Sequence, residues 1–490
     1  MHWSQIMPLN RSFARSCSTI ALMTAAFVSP APGAPDAASL WKAAFQANQA
    51  PLPDGADAWP LIRKAVDQYQ FGLSTVRLTA PDGTPTAPIL DVTTFVLPPP
   101  QGDGTTALLQ STIEASVRGL EQSGLGKAID EAAAAPRCEQ PPSDGWIGAF
   151  IAAGMRQGDD KNYTALCAFE TLRFVLASRV GESDVALARF RSAARLTWYL
   201  EQGPIARRLL ASSCLDGLML ALREEIAARR IAPKQAQAYL SALDTARPAT
   251  PWALTTALEE VRMNELVRGI VAKSGTMSEK AFGRAIEGCD LQDRDDIAAI
   301  VTEAVKVERI DPTAQTLIRA LHAYAPLDRA ERRAMSAFVD PRLLGDAFPC
   351  EPYSVARFLS SSWTWVDAWL DELDADRTRL EGTRLMLAIE AYRASAGHPP
   401  ATLAELVPTH LAVLPKDPVS GQPFGYRALP PAEAEKDVFR RSYLLWSAGA
   451  DGKDDGGVEP HEPENLSRVL GGGSAPPPTG DWVVNTPSRP

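Results

Sequence analysis

Between Asp451 and Glu464 the chain carries six carboxylates, Asp451, Asp454, Asp455, Glu459, Glu462 and Glu464, against one lysine, Lys453. Hard oxygen donors gathered on a bendable loop are the ligands a calcium ion takes. Gly452, Gly456 and Gly457 leave the backbone free to turn its carbonyls inward. A helix–loop–helix calcium site is excluded, because Lys453 stands at the third position from Asp451, where that motif needs a ligand. The residue types therefore point to ion binding, and the competing reading is a solvated acidic turn.

Catalytic chemistry finds no comparable concentration. The five histidines, His2, His322, His398, His410 and His461, show no metal-ligand spacing. The chain contains neither a G-x-S-x-G elbow nor a phosphate-cradling or dinucleotide glycine motif. Glu259, Glu260, Arg262, Glu265 and Arg268 read as the salt-laced exposed face of a helix, with a cleft lining as the alternative. A net charge of −10 and the lack of a Lys/Arg run argue against a nucleic-acid partner.

The elements that must position the acidic loop follow from patterning. At 490 residues more than one domain is expected. Arg11 and Arg15 precede an apolar stretch from Cys17 to Val28, and small residues and prolines follow, which reads residues 1–37 as a secretory signal. Export to the periplasm or the exterior is the expectation, with membrane attachment only if that segment stays uncleaved. Beyond it Cys138, Cys167, Cys214, Cys289 and Cys350 contain no C-x-x-C and read mostly as small buried apolar residues. One or two disulfides remain open.

Residues 38–104 read as an N-terminal helix, beginning near Asp57-Ala58-Trp59-Pro60, and a strand over Thr86 to Val96. Residues 105–375 read as helical almost throughout. Gly203-Pro204, Pro233, Thr250-Pro251 and Asp311-Pro312 mark helix starts, and the lengths suggest stacked antiparallel hairpins. Ala186, Phe190 and Ala193 have the small-large-small spacing of a tetratricopeptide second helix, though no matching first helix or period recurs. An irregular helical body with repeat-like hairpins is the better description.

From Asp376 the texture changes. Leu385, Ala388, Ile389 and Tyr392 form one helical stripe, and Gly397 stands at its C-cap. Thr402 and Glu405 form a capping box. Strands are expected at Phe424 to Arg427, Ser442 to Ser447 and Asp481 to Val484, and Gly471 to Pro478 has linker composition.

The phrases Ala391-Tyr392 with Gly397-His398-Pro399, Leu414-Pro415-Lys416-Asp417-Pro418, Gly421 to Tyr426, and Ser447-Ala448-Gly449-Ala450-Asp451-Gly452 together resemble the globular domain of the type II secretion major pseudopilin. The resemblance spans residues 376–484, with 485–490 as a tail. It implies a small α+β module whose loop binds calcium, with Asp451 and Asp481 the foremost carboxylates and Asp454 and Asp455 beside them. The long apolar helix of that family is missing. The segment before Arg384 is instead charged, at Asp371, Glu372, Asp374, Asp376, Arg377 and Arg379, so assembly into a pseudopilus is not expected. The whole chain also resembles exported bacterial proteins that pair a helical body with this ending, a resemblance that carries no activity with it.

The expectation is thus a mostly α chain, an irregular helical body with a pseudopilin-like α+β module. In function it is an exported, non-enzymatic factor binding a protein partner or the cell surface. The alternatives are an enzyme whose site is assembled within the helical body and a component associated with type II secretion.

Overall fold

The structure of the chain, a computed structural model, describes residues 37–48, 55–79, 85–96, 104–139, 159–203, 205–248, 250–258, 260–261, 322, 355–449, 451–459 and 480–486. The signal segment, most of the acidic cleft candidates, Cys289, Cys350, the segment 311–326 apart from His322, and the linker 471–478 lie outside these residues. The described chain is mostly helical, with one small three-stranded antiparallel sheet near its end.

The first helices are α1 (Ala37–Asn48) and α2 (Ala58–Thr75). Asp57 caps α2 by accepting the Trp59 N–H at 3.1 Å, and its same oxygen accepts the Glu139 N–H at 2.9 Å. The cap thus fixes both a helix start and the return of a distant segment. A two-residue ribbon follows, β1 (Leu78–Thr79) paired with β2 (Pro85–Thr86).

The strand expected over Thr86 to Val96 is corrected here. Beyond Thr86 the chain leaves the ribbon, and Val92–Val96 form the short helix α3. The Ile89 N–H finds no strand partner but donates to Ser116 Oγ at 2.9 Å, while Phe95 and Val96 are buried in the core. Strand-forming side chains placed singly into a helical core take the conformation that buries them.

The body consists of α4 (Gly104–Gln122), α5 (Leu125–Ala133), α6 (Asp159–Arg179), α7 (Ser183–Glu201), α8 (Ile205–Ala227) and α9 (Pro233–Ala246). Pro233 opens α9 at its first position, where its missing N–H costs nothing. Phe174, Phe190 and Tyr239, from α6, α7 and α9, meet edge to face with centroids 5.6, 6.1 and 5.2 Å apart. Ala186, Phe190 and Ala193 all face this core. The small residues let the neighbouring helices close on the ring between them.

A single helix of 42 residues, α10 (Val355–Ala396), packs against α8 and α9 and also carries the C-terminal sheet. The boundary expected at 375/376 falls inside it. One apolar core runs without interruption from the body to Leu385, Ile389, Tyr443 and Leu445. Gly397 ends α10 with φ +77°, a conformation only glycine adopts without strain, and its N–H donates to the Arg393 carbonyl at 2.9 Å.

The capping box closes as expected, the Thr402 N–H donating to Glu405 Oε1 at 2.9 Å, and opens a 3-10 turn over Leu403–Leu406. The sheet has the order β3 (Gly425–Ala428), β4 (Tyr443–Ser447), β5 (Trp482–Val483), with a short helix α11 (Pro431–Ala434) between the first two. Every residue of β4 is buried. Asn485, expected in the tail, is buried as well, accepting the Leu445 N–H at 3.1 Å and donating to the Tyr443 carbonyl at 2.7 Å.

Gly425 lies under the indole of Trp446, where an added Cβ would stand 2.0 Å from the ring. That indole is tied down by its own hydrogen bond to Asp454 at 2.8 Å, so it cannot step aside freely. Gly425→Ala is therefore expected to destabilise the protein by about 1–3 kcal/mol, read as a lower urea midpoint at unchanged slope. An unshifted midpoint would show that the ring has room to move.

Candidate metal centre

The acidic loop is built onto the sheet from two sides. From β4, Trp446 Nε1 donates to Asp454 Oδ1 at 2.8 Å, and the Gly456 N–H shares that oxygen at 2.9 Å. From the approach to β5, Asp481 is fully buried, and its own N–H donates to the Val458 carbonyl at 2.8 Å. Asp481 Oδ2 accepts the Gly457 N–H at 2.7 Å and the Asp455 N–H at 3.1 Å. The loop is thus folded around one buried carboxylate, residues far apart in sequence supplying the two ends.

Burial pushes the Asp481 carboxyl up, and the neighbouring Asp454 and Asp455 push it further, against the two backbone N–H groups that favour its charge. Asp455 also pairs with the Lys453 ammonium at 2.5 Å. Asp451 turns back to accept the Lys453 N–H at 3.0 Å. The Lys453 ammonium is raised first by its hydrogen bond to Asp455 and then by the fields of Asp455, Asp451 and Asp481.

Of the four expected carboxylates, Asp454, Asp455 and Asp481 are brought together, and Asp451 joins them through Lys453. Their donor chemistry is all hard oxygen, as calcium requires. Their arrangement is a carboxylate–ammonium network in which Lys453 supplies the positive charge. Among the described residues, no three His, Cys, Asp or Glu side chains are gathered as a metal-ligand set. The sequence set Lys453 as the one positive charge against the acids and as a misfit at a ligand position; the structure adds its pairing with Asp455 and its nearness to Asp451 and Asp481.

A second concentration of charge lies between α8 and α10. Arg379 contacts Asp376 through a short hydrogen bond, Asp216 at 3.6 Å and Glu372 at 3.7 Å. Nearby Arg223 donates to Thr383 Oγ1 at 3.1 Å and lies over the Trp482 ring at 5.4 Å. Burial pushes the Asp376 carboxyl up to about 7, Arg379 opposing and Asp216 and Glu372 reinforcing the effect. A carboxyl titrating there suits acid–base chemistry. With only 7% of its surface exposed, however, Asp376 offers a substrate little approach.

The histidines within the described residues serve as connectors. His410 Nδ1 lies 3.1 Å from Gln237 Oε1, joining module to body, and His398 Nδ1 lies 2.9 Å from the Pro399 carbonyl. His322 Nε2 lies 3.1 Å from Glu260 Oε2, an exposed hydrogen-bonding contact. Cys138 and Cys167 are buried and Cys214 is half-buried, and no disulfide joins these three. No helix among the described residues is long and apolar enough to cross a membrane. No family model matches the chain, and neither a curated protein nor a solved structure matches it significantly.

Proposed function

We propose that the chain is an exported protein that binds a protein partner or the cell surface, its C-terminal module being a pseudopilin-like fold steadied by calcium. The observation carrying this reading is the buried Asp481 carboxylate, with Asp454 and Asp455 drawn up to it on a loop wired into β4 and β5. An ion held by Asp451, Asp454, Asp455 and Asp481 would link the loop to both strands, its contribution being electrostatic cross-linking rather than reaction chemistry. Lys453, whose side chain is 69% exposed, is free to swing out and yield its place. The helical body, with hairpins comparable to those of tetratricopeptide proteins, would offer the partner its grooves.

The test is thermal unfolding of the full chain in calcium and in excess chelator. Calcium at a hundred times its dissociation constant would add about 2.7 kcal/mol. The response should grow in Lys453→Met, which removes the competing cation, and vanish in Asp481→Asn. A calcium response that is absent from the wild type and from Lys453→Met alike would end the metal assignment.

The enzyme alternative draws on Asp376. It would require that a small molecule reach the α8–α10 junction and that Asp376→Asn abolish its turnover.

A further inference from the structure

Where α7 ends, α8 begins and α9 ends, three guanidinium groups converge on one carboxylate. Glu201 closes α7, Arg208 lies in the first turns of α8, Arg247 follows α9, and Arg377 approaches from α10. Arg247 Nη2 donates to Glu201 Oε2 through a short hydrogen bond, and Arg208 Nη2 lies 3.4 Å from Glu201 Oε1. Arg208 also donates to the Thr250 carbonyl at 2.8 Å and stacks 4.1 Å from the Trp252 ring centroid. Against the effect of burial, Arg247 and Arg208 hold the Glu201 carboxyl below its ordinary range.

The donors of this corner outnumber its acceptors. Arg208 Nε, Arg247 Nε and Nη1, Thr250 Oγ1 and Thr255 Oγ1 are buried without a hydrogen-bond partner. Thr255 lies three residues after Trp252 on the same helical segment, 252–258, and so shares the face that Arg208 covers. A guanidinium donates only, so these N–H groups cannot serve one another. Each buried orphan donor costs about 1–3 kcal/mol, and such a cluster calls for a species rich in lone pairs.

Arg208, Arg247 and Arg377 face Glu201 and Asp374, the latter 3.3 Å from Arg377. Glu381, which Arg384, Arg377 and Arg247 all influence, and Asp244, 2.8 Å from Arg384, bring the formal charge of the corner to balance. The call for a ligand therefore comes from the unpaired donors and not from a surplus of charge. Burial, with Arg377 and Arg247 adding to it against the pull of Glu201, pushes the Arg208 guanidinium down to about 10.

We propose that this corner binds a small oxyanion, a carboxylate or a phosphate-type group, through Arg208 and Arg247 with the hydroxyls of Thr250 and Thr255. Arg247, with 11% of its side chain exposed, is the more accessible of the two guanidinium groups. The site lies away from the acidic loop and does not depend on calcium.

The experiment is calorimetric titration of the full-length protein with inorganic phosphate, sulfate and acetate, each against chloride at matched ionic strength. Binding of at least one of the three above chloride is the expected result. Phosphate and sulfate over acetate would identify a tetrahedral ligand, and the reverse a planar carboxylate. Thr250→Val removes one donor and leaves both Glu201 pairs intact, so it should fold and bind about tenfold more weakly. Arg247→Gln should abolish binding. If no oxyanion binds better than chloride, or if Thr250→Val binds as tightly as wild type, the proposal is overturned.

Discussion

Asp417→Ala is expected to destabilise the protein by about 3–5 kcal/mol, enough to abolish the native state of an ordinary domain at body temperature. Asp417 is fully buried, yet no cation is paired with it among the described residues. Its charge is instead held by directed donors: Thr378 Oγ1 at 2.7 Å, Ser420 Oγ at 2.5 Å, Ser447 Oγ at 2.6 Å and the Val419 N–H at 3.0 Å. These come from α10, from the turn after Asp417 and from β4. Alanine would orphan the three hydroxyls at once and leave the Val419 N–H only Thr378 Oγ1 at 3.3 Å, and in a low-dielectric interior the losses reinforce one another. Asp417→Asn keeps an acceptor oxygen, and the two serine hydroxyls can rotate, so its cost should be about 1–2 kcal/mol. Urea denaturation of both variants distinguishes a hub from a surface turn. An Asp417→Ala loss below about 1 kcal/mol would mean that the donors find other partners.

The second large effect depends on pH. Asp376 shares Arg379 with Asp216 and Glu372, and burial, with those two acids adding to it, pushes its carboxyl from 3.8 to about 7. A folded-state pKa above the unfolded one means that the native state binds the extra proton between those values. The stability it lends is therefore full below about pH 4 and is lost as the pH rises towards 7, by an amount on the order of a few kcal/mol. Asp376→Asn fixes the neutral form. Its melting temperature relative to wild type should thus be higher at pH 8 than at pH 5. An equal difference at the two pH values would place the proton elsewhere.

Local chemistry made much of this fold legible beforehand. Asp57, Pro233, Thr402 with Glu405, and Gly397 each announce a helix end through a hydrogen bond or a φ value that only a few residue types supply. The three strands of the sheet likewise lie where their β-branched and aromatic runs place them. What escaped is what distance in sequence conceals. Beyond Thr86 the stretch to Val96 has strand composition, but its partners are Ser116 and the helical core, not another strand. The change of texture at Asp376 falls inside the helix α10, which runs on through it to Ala396. Of the candidate site, the acidic residues and their one lysine were evident, and the pairing of Lys453 with Asp455 was not. The corner at Glu201 was invisible, since Arg247 lies 46 residues from its carboxylate and Arg208 lies 42 from the Thr250 carbonyl.

Over the turns of α10 from Asp376 to Glu390, contacts with body and sheet alternate. Asp376, Arg379 and Thr383 meet α8, while Thr378, Gly382 and Glu390 meet Asp417, Val484 and Tyr443. Each residue inserted into such a helix rotates everything beyond it by about 100°. A graft that moved the sheet to another protein would therefore carry half of the body's docking surface with it, in fixed phase. Body and sheet are matched to two faces of one helix and are not two finished units tied by a loop. Length changes in its lineage should accordingly accumulate outside residues 376–390.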